Sequence, residues 1–473
     1  MTAGPALVIT GLGVVSAAGI GTAAMAQALA AGRGPLPDVT GLYEEALPYP
    51  AAPAFVGFDV RALLGRRGTG FLDRVSGLAM VACGQALADS GLVVDDGTRD
   101  RIGVAFGTTV GSLRSSSDYS RETLVADRPY LVNPALFPNT VMNCAAGQAA
   151  IRYGLRGVNS TVATGRLGFL GALGYAANVL RRGYADAMLV GAVEEFTPHA
   201  AWAHARLGRA GLPGEAAVVF VLEPEDAALA AGRRPLAALA AVSSGYVPGG
   251  DPGRVAGRLA ACLRDALDRA AVDPGRVRAV AASEAAGPAD ERIERAAVAG
   301  ALGRDGVPRV AVRDALGDCG AAAAALQLAA VLARGGSDGV GGSGWVSGSG
   351  GVSGSGGVSG AGGVSTAGAI SGVSGASEDG RANWAGRVSR AGGASEDGRA
   401  NGVSGVSGAG GVSGAGAISG AGGAGGDGDG GGTGGAEGLG GDAGAVLLAG
   451  WSPEGAYAAA VVAGCNGVGA GRE

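Results

Sequence analysis

The stretch that decides the fold runs from Phe137 to Glu195 and reads FPNTVMNCAAGQAAIRYGLRGVNSTVATGRLGFLGALGYAANVLRRGYADAMLVGAVEE. Within it, Gly157 to Ala163 predicts a strand, a turn containing Arg166 follows, and an alanine-rich run leads to a second strand, ADAMLVGAVEE. Strands that are continuously apolar, without alternation, are typical of a sheet buried on both faces. The stretch therefore predicts a layered α/β domain.

The same alternation continues on both sides of this stretch. Before it, residues 6–15 (ALVITGLGVV) and 102–111 (IGVAFGTTVG) predict strands, and RVSGLAMVACGQALADSG predicts a helix that stops at Gly91. After it, a second α/β stretch begins near Arg234 with the strand LAALAAVSSGYV and the helix of residues 252–270. This second stretch repeats the architecture of the first, although not its sequence.

Glycine is concentrated between Gly335 and Gly444, where GVSGSG units alternate with two copies of ASEDGRAN. Such a segment has almost nothing to bury against the entropy of ordering it, so we expect a disordered spacer. The sequence thus predicts an N-terminal half, the first part of a C-terminal half, a disordered insert and closing strands, at residues 1–230, 231–334, 335–445 and 446–473.

Composition excludes several function classes. The 473 residues carry a net charge of −5 and no basic run, which argues against nucleic-acid and anionic-membrane partners. The N-terminus has no leader pattern and the apolar stretch Ala321 to Ala333 is too short to span a bilayer, so we expect a cytoplasmic protein. The five cysteines lack CxxC spacing, which predicts buried thiols rather than a zinc site or disulfides: Cys83, Cys144, Cys262, Cys319 and Cys465.

The opening VITGLGVVSAAGIG contains two glycines of a dinucleotide-binding fingerprint, but Ser16 stands where the third is needed. Together with the Phe137–Glu195 stretch, this opening resembles the β-ketoacyl synthases of the thiolase superfamily. The resemblance implies a thiolase-like layered αβαβα fold with two similar halves. Family members carry a cysteine nucleophile on a tight turn at the start of a helix. Here Arg166 takes that place, and the strand after it matches without a gap.

The family's two catalytic histidines also have counterparts in the sequence. Depending on a one-residue gap, Ser283 or Glu284 stands at the first histidine place, and Asp318 stands at the second, in a motif of the KxxxGH type that begins at Arg313. A guanidinium stays protonated and cannot attack a thioester. An ionised carboxylate would oppose the enolate that decarboxylation produces. We therefore expect no catalytic residue in this chain.

The start of a helix disfavours a cation, so Arg166 needs compensation. We expect an ion pair with Asp318 or Glu284, the alternative being that Arg166 reaches solvent or a partner subunit. The chain's two histidines, His199 and His204, fall outside both motifs and are expected at the surface or at an interface.

A family member without the cysteine resembles the chain-length factor of type II polyketide synthases. That resemblance implies a heterodimer with a catalytic ketosynthase, in which this subunit shapes the channel for the growing chain. It also implies substrates carried on the phosphopantetheine of an acyl carrier protein, with no cofactor of its own. Two alternatives stay open: an acyltransferase with an atypical nucleophile such as Cys144 or Cys319, and a decayed, non-functional homologue.

Overall fold

The computed structural model describes residues 4–32, 34–209, 211–248, 251–282, 287–338, 444–452 and 455–464. Nearly all of the predicted insert, residues 339–443, lies outside them, and so do Ser283, Glu284 and Cys465. Among the described helices, none is long and apolar enough to cross a membrane.

The elements alternate along the chain as the sequence predicts. The described strands are β1 Leu7–Ser16, β2 Gly19–Ile20, β3 Ile102–Thr108, β4 Asn159–Ala163, β5 Ala187–Glu194, β6 Ala216–Pro224, β7 Ala237–Tyr246, β8 Val277–Ala281, β9 Ala445–Trp451 and β10 Ala456–Gly464. The described α-helices are α1 Thr22–Ala31, α2 Val60–Leu64, α3 Arg74–Ser90, α4 Leu113–Val125, α5 Cys144–Tyr153, α6 Gly168–Arg181, α7 Pro198–Arg206, α8 Glu225–Ala230, α9 Pro252–Arg269, α10 Pro288–Leu302, α11 Arg313–Leu316 and α12 Ala323–Asp338.

Local chemistry explains where the predicted helix α3 begins and ends. The Asp73 side chain accepts a hydrogen bond from the Ser76 backbone N–H, which satisfies one of the free donors of the first turn. Gly91 closes the helix in the left-handed conformation, with φ of 68°, where a side chain would be strained. The helix therefore occupies the predicted segment.

Strand pairing shows the two similar halves that the fold prediction required. The strands follow the order β4-β3-β5-β6-β1-β7-β10-β9-β8, with β2 attached to β1. Outward from the centre, β1, β6 and β5 run antiparallel and β3 and β4 continue parallel to β5. In the other half, β7, β10 and β9 run antiparallel and β8 is parallel to β9. A parallel bridge between Val280 and Arg309 stands at the place that β4 occupies in the first half.

The helices and strands form five alternating layers, and three buried apolar clusters lie between these layers. The first cluster joins α3 and α5 to one face of the N-terminal strands, for example through Phe106 and Val219. The second includes α6 and α12 and inward-facing residues of both halves, such as Phe220 and Leu448. The third joins α9 and α10 to the outer face of the C-terminal strands. Both faces of the sheet are covered, which explains the continuously apolar strands and confirms the αβαβα prediction.

Candidate functional site

Arg166 lies in the tight turn between β4 and α6. A 3₁₀ turn, Gly165–Leu167, joins the strand to the helix, and Gly165 has a φ of 59°. The turn packs directly on the end of β3, since a Cβ on Gly107 would lie 2.2 Å from the backbone carbon of Gly168. Small residues at these positions bring the turn against the sheet and fix where the Arg166 side chain starts.

The Arg166 guanidinium pairs with the Asp318 carboxylate, which confirms one of the two predicted ion pairs. The other candidate, Glu284, lies outside the described residues. The Arg166 side chain is 16% exposed and that of Asp318 only 5%. A pair this enclosed is costly to break, because removing one partner leaves the other charge buried.

Backbone contacts hold Asp318 in place for this pair. Its N–H donates to the Leu212 carbonyl at 2.7 Å, and its own carbonyl accepts from the Gly214 N–H at 3.0 Å. Its Oδ1 accepts a hydrogen bond from the Gly320 N–H at 3.2 Å. Asp318 is therefore fixed by its backbone and one carboxylate oxygen, and the other oxygen faces the turn.

The prediction that His204 lies at the surface or at an interface is wrong, since the side chain is buried within this chain. His204 belongs to the last turn of α7 and is 6% exposed, with Nε2 3.8 Å from Asp318 Oδ2. Burial lowers the pKa of His204 first, Asp318 raises it, and nearby guanidiniums, including Arg166, lower it further. The imidazole therefore stays neutral at pH 7. No sequence motif signals this contact, because α7 and the Asp318 segment meet only in the folded chain.

Glu194 is a second residue that sequence reasoning missed. Its Oε1 accepts hydrogen bonds from the Thr109 N–H at 2.5 Å and from the Ala321 N–H at 3.3 Å. Burial raises the pKa of Glu194 to about 7, and the charge of Asp318 raises it as well. Glu194 thus ties the end of β3 to the segment after Asp318, next to the ion pair.

Both candidate thiols are buried. Cys144 is 7% exposed and lines a cavity of about 10 Å³, which has room for no more than one water molecule. Burial raises the pKa of the Cys144 thiol, which keeps it protonated. Cys319 has no exposed surface and its Sγ donates to the Leu316 carbonyl at 3.4 Å. Neither position resembles an activated nucleophile on an accessible turn.

The other described cysteines and the acidic helix near the first histidine place lie away from the Arg166 turn or are engaged in their own contacts. The thiols of Cys83, Cys144, Cys262 and Cys319 are buried, as predicted, and Cys465 lies outside the described residues. Glu294, in the helix after the first histidine place, pairs with Arg309 at 3.0 Å. No cluster of three or more metal-ligating side chains occurs in the described ranges.

Comparison with known proteins identifies the family of this chain. The models for "Beta-ketoacyl synthase, N-terminal domain" and "Beta-ketoacyl synthase, C-terminal domain" match residues 5–227 and 238–334. The 3-oxoacyl-[acyl-carrier-protein] synthase 2 of Coxiella burnetii is 32% identical over 188 residues, or 40% of this chain and 45% of that protein. The chain thus spans about half the length of the curated relatives it matches.

Comparison with solved structures is consistent with the same family. The ishigamide ketosynthase/chain length factor is 29% identical, with a TM-score of 0.64 over 97% of this chain and 99% of that one. A type II PKS acyl-carrier protein in complex with its ketosynthase is 23% identical, with a TM-score of 0.59 over 70% of this chain and 86% of that one, a likeness of fold alone. Because this chain matches both domain models of the family and has the five-layer fold, it belongs to the β-ketoacyl synthase family.

Proposed function

We propose that this chain is a non-catalytic, chain-length-factor-like subunit that pairs with a catalytic β-ketoacyl synthase and shapes the channel for a growing polyketide. The observation that carries the proposal is the Arg166–Asp318 ion pair in the turn where relatives carry the nucleophile. Forming an acyl-enzyme at this turn requires a thiolate. Arg166 supplies none, and its charge is already held by Asp318.

The electrostatics around the turn also disfavour condensation. Decarboxylation leaves negative charge on the substrate, which the catalytic site must stabilise with positioned donors. At the second histidine place this chain has the Asp318 carboxylate, and the carboxyl group of Glu194 accepts a hydrogen bond from Ala321 just after it. The one imidazole nearby, His204, is neutral and faces Asp318.

Strand β4 offers a surface for a partner subunit. It is the edge strand of the described sheet and pairs with β3 on one side. Its five residues, NSTVA, are uncharged, whereas isolated edge strands usually carry charges or proline that discourage pairing. A groove of about 500 Å³ beside it is lined by Val141 and Met142, which are 43% and 53% exposed. An uncharged edge flanked by exposed apolar side chains is suited to strand pairing between subunits.

The substrates of the proposed pair are carried on an acyl carrier protein. Within the pair, acyl and malonyl groups on an acyl carrier protein react at the partner's cysteine, and this chain bounds the space that the product fills. No cofactor of its own is needed for that role.

Co-purification with a ketosynthase that retains its cysteine and both histidines tests the pairing. We expect the two chains to co-elute at equal amounts, and we expect Met142→Asp to release this chain as a soluble monomer. Val93→Asp is the matched control, since Val93 is 62% exposed but lies on the loop before β3. A well-folded wild-type chain that never co-elutes with its ketosynthase would reject the proposal in favour of a decayed homologue.

A further inference from the structure

His204 is a buried side chain whose two ring nitrogens form no hydrogen bond with the described residues. Both atoms, Nδ1 and Nε2, are inaccessible to solvent. Leaving a buried polar atom unpaired destabilises the folded state, so each such atom calls for an explanation. An apolar ring of similar size would fill the same space without leaving polar atoms unpaired.

The imidazole ring of His204 faces a carboxylate oxygen that already bonds a guanidinium. Asp318 Oδ2 bonds the Arg166 guanidinium, and His204 Nε2 stands 3.8 Å from the same oxygen. The other charged groups that act on the ring are Arg209, which follows α7, and Arg313 on α11. Two potential cations, Arg166 and His204, therefore compete for a single carboxylate oxygen.

We propose that the Arg166–Asp318 pair is a latch operated by a proton, and that His204 is the group that takes up the proton. With the ring neutral, Asp318 holds Arg166 and the turn stays closed. When a proton from solvent binds the ring, both nitrogens become donors, and a movement of about 1 Å brings Nε2 to hydrogen-bond distance of Oδ2. Asp318 is then shared, and Arg166, already 16% exposed, turns toward solvent.

The neutral state is the resting state near pH 7. Burial and the guanidiniums of Arg209, Arg166 and Arg313 lower the pKa of His204, and the Asp318 carboxylate opposes them. The latch therefore opens only below neutral pH. This inference concerns the isolated chain and does not rest on the proposed pairing, so the two can fail separately.

The chain has only two histidines, which makes the titration of His204 measurable by NMR in a His199→Gln background. We expect Asp318→Asn to lower its titration midpoint and Arg166→Gln to raise it, each by at least about half a pH unit, or roughly threefold in proton affinity. A midpoint that neither substitution moves would overturn the latch.

Opening of the turn is measured separately by amide hydrogen exchange of residues 164–171, corrected for the intrinsic effect of pH. We expect exchange to rise as the pH falls below neutral in the wild-type chain and to stay constant in His204→Phe, which keeps a buried ring that cannot be protonated. If His204→Phe fails to fold, Asp318→Asn serves instead and should exchange rapidly at every pH. Equal pH dependence in the wild-type and variant chains contradicts the proposal.

Discussion

The ion pair at the turn predicts unequal effects for its two partners. Arg166→Ala leaves the Asp318 carboxylate, 5% exposed, without its counter-charge. Breaking a buried pair costs about 3–5 kcal/mol, and since Arg166 is 16% exposed we expect a loss at or just below that range, about 2–3 kcal/mol. Asp318→Asn leaves a guanidinium that can turn toward solvent and an amide that still accepts from Gly320. We expect a loss of about 1 kcal/mol for it.

Replacing both partners by apolar side chains distinguishes the energy of the ion pair from the cost of leaving one charge buried without its partner. Arg166→Met with Asp318→Leu removes both charges and keeps most of the volume, so its stability should lie closer to wild type than that of Arg166→Ala. Urea unfolding of Arg166→Met, Asp318→Leu and the double variant gives the coupling energy between the two positions. We expect about 1–2 kcal/mol.

A coupling energy below about 0.5 kcal/mol, or a larger loss for Asp318→Asn than for Arg166→Ala, would refute the interpretation of this contact as a buried ion pair.

Three further predictions follow from the described contacts. Burial raises the pKa of Glu195 to about 8, above its ordinary value of 4.5, so ionisation opposes folding. Wild-type stability should therefore fall as pH rises from about 4.5 to about 8, and thermal melts of Glu195→Gln should show a smaller fall. Gly107→Ala forces a Cβ to within 2.2 Å of backbone and should prevent soluble expression, whereas Gly147→Ala, which meets nothing within 4 Å, should express normally. Arg166→Cys should not restore condensation of an acyl thioester with malonyl carrier protein, because Asp318 still stands at the second histidine place; a condensation product would show that the loss of the thiol alone silenced the site.

The sequence predicts those parts of the fold that depend on local patterns. The apolar runs of β1, β3 and β5 and the helix α3, with Asp73 before it and Gly91 after it, all appear where expected. The position of Arg166 also follows from the sequence, because the strand on each side of it fixes the register.

Contacts between distant segments were harder to anticipate. Arg166 and Asp318 are 152 positions apart, and their pairing was predicted only because a family resemblance placed both at one site. No resemblance includes His204, so its burial against Asp318 was missed. The bridge at Arg309 likewise depends on β8 being beside it, which the short segment around it does not reveal.

The most direct test of the central claim is intact-protein mass spectrometry of the co-purified pair after incubation with an acyl-loaded carrier protein. We expect an acyl mass increment on the ketosynthase and none on this chain. An acyl group recovered on this chain, mapped by digestion to Cys144, Cys319 or any other residue, would contradict it.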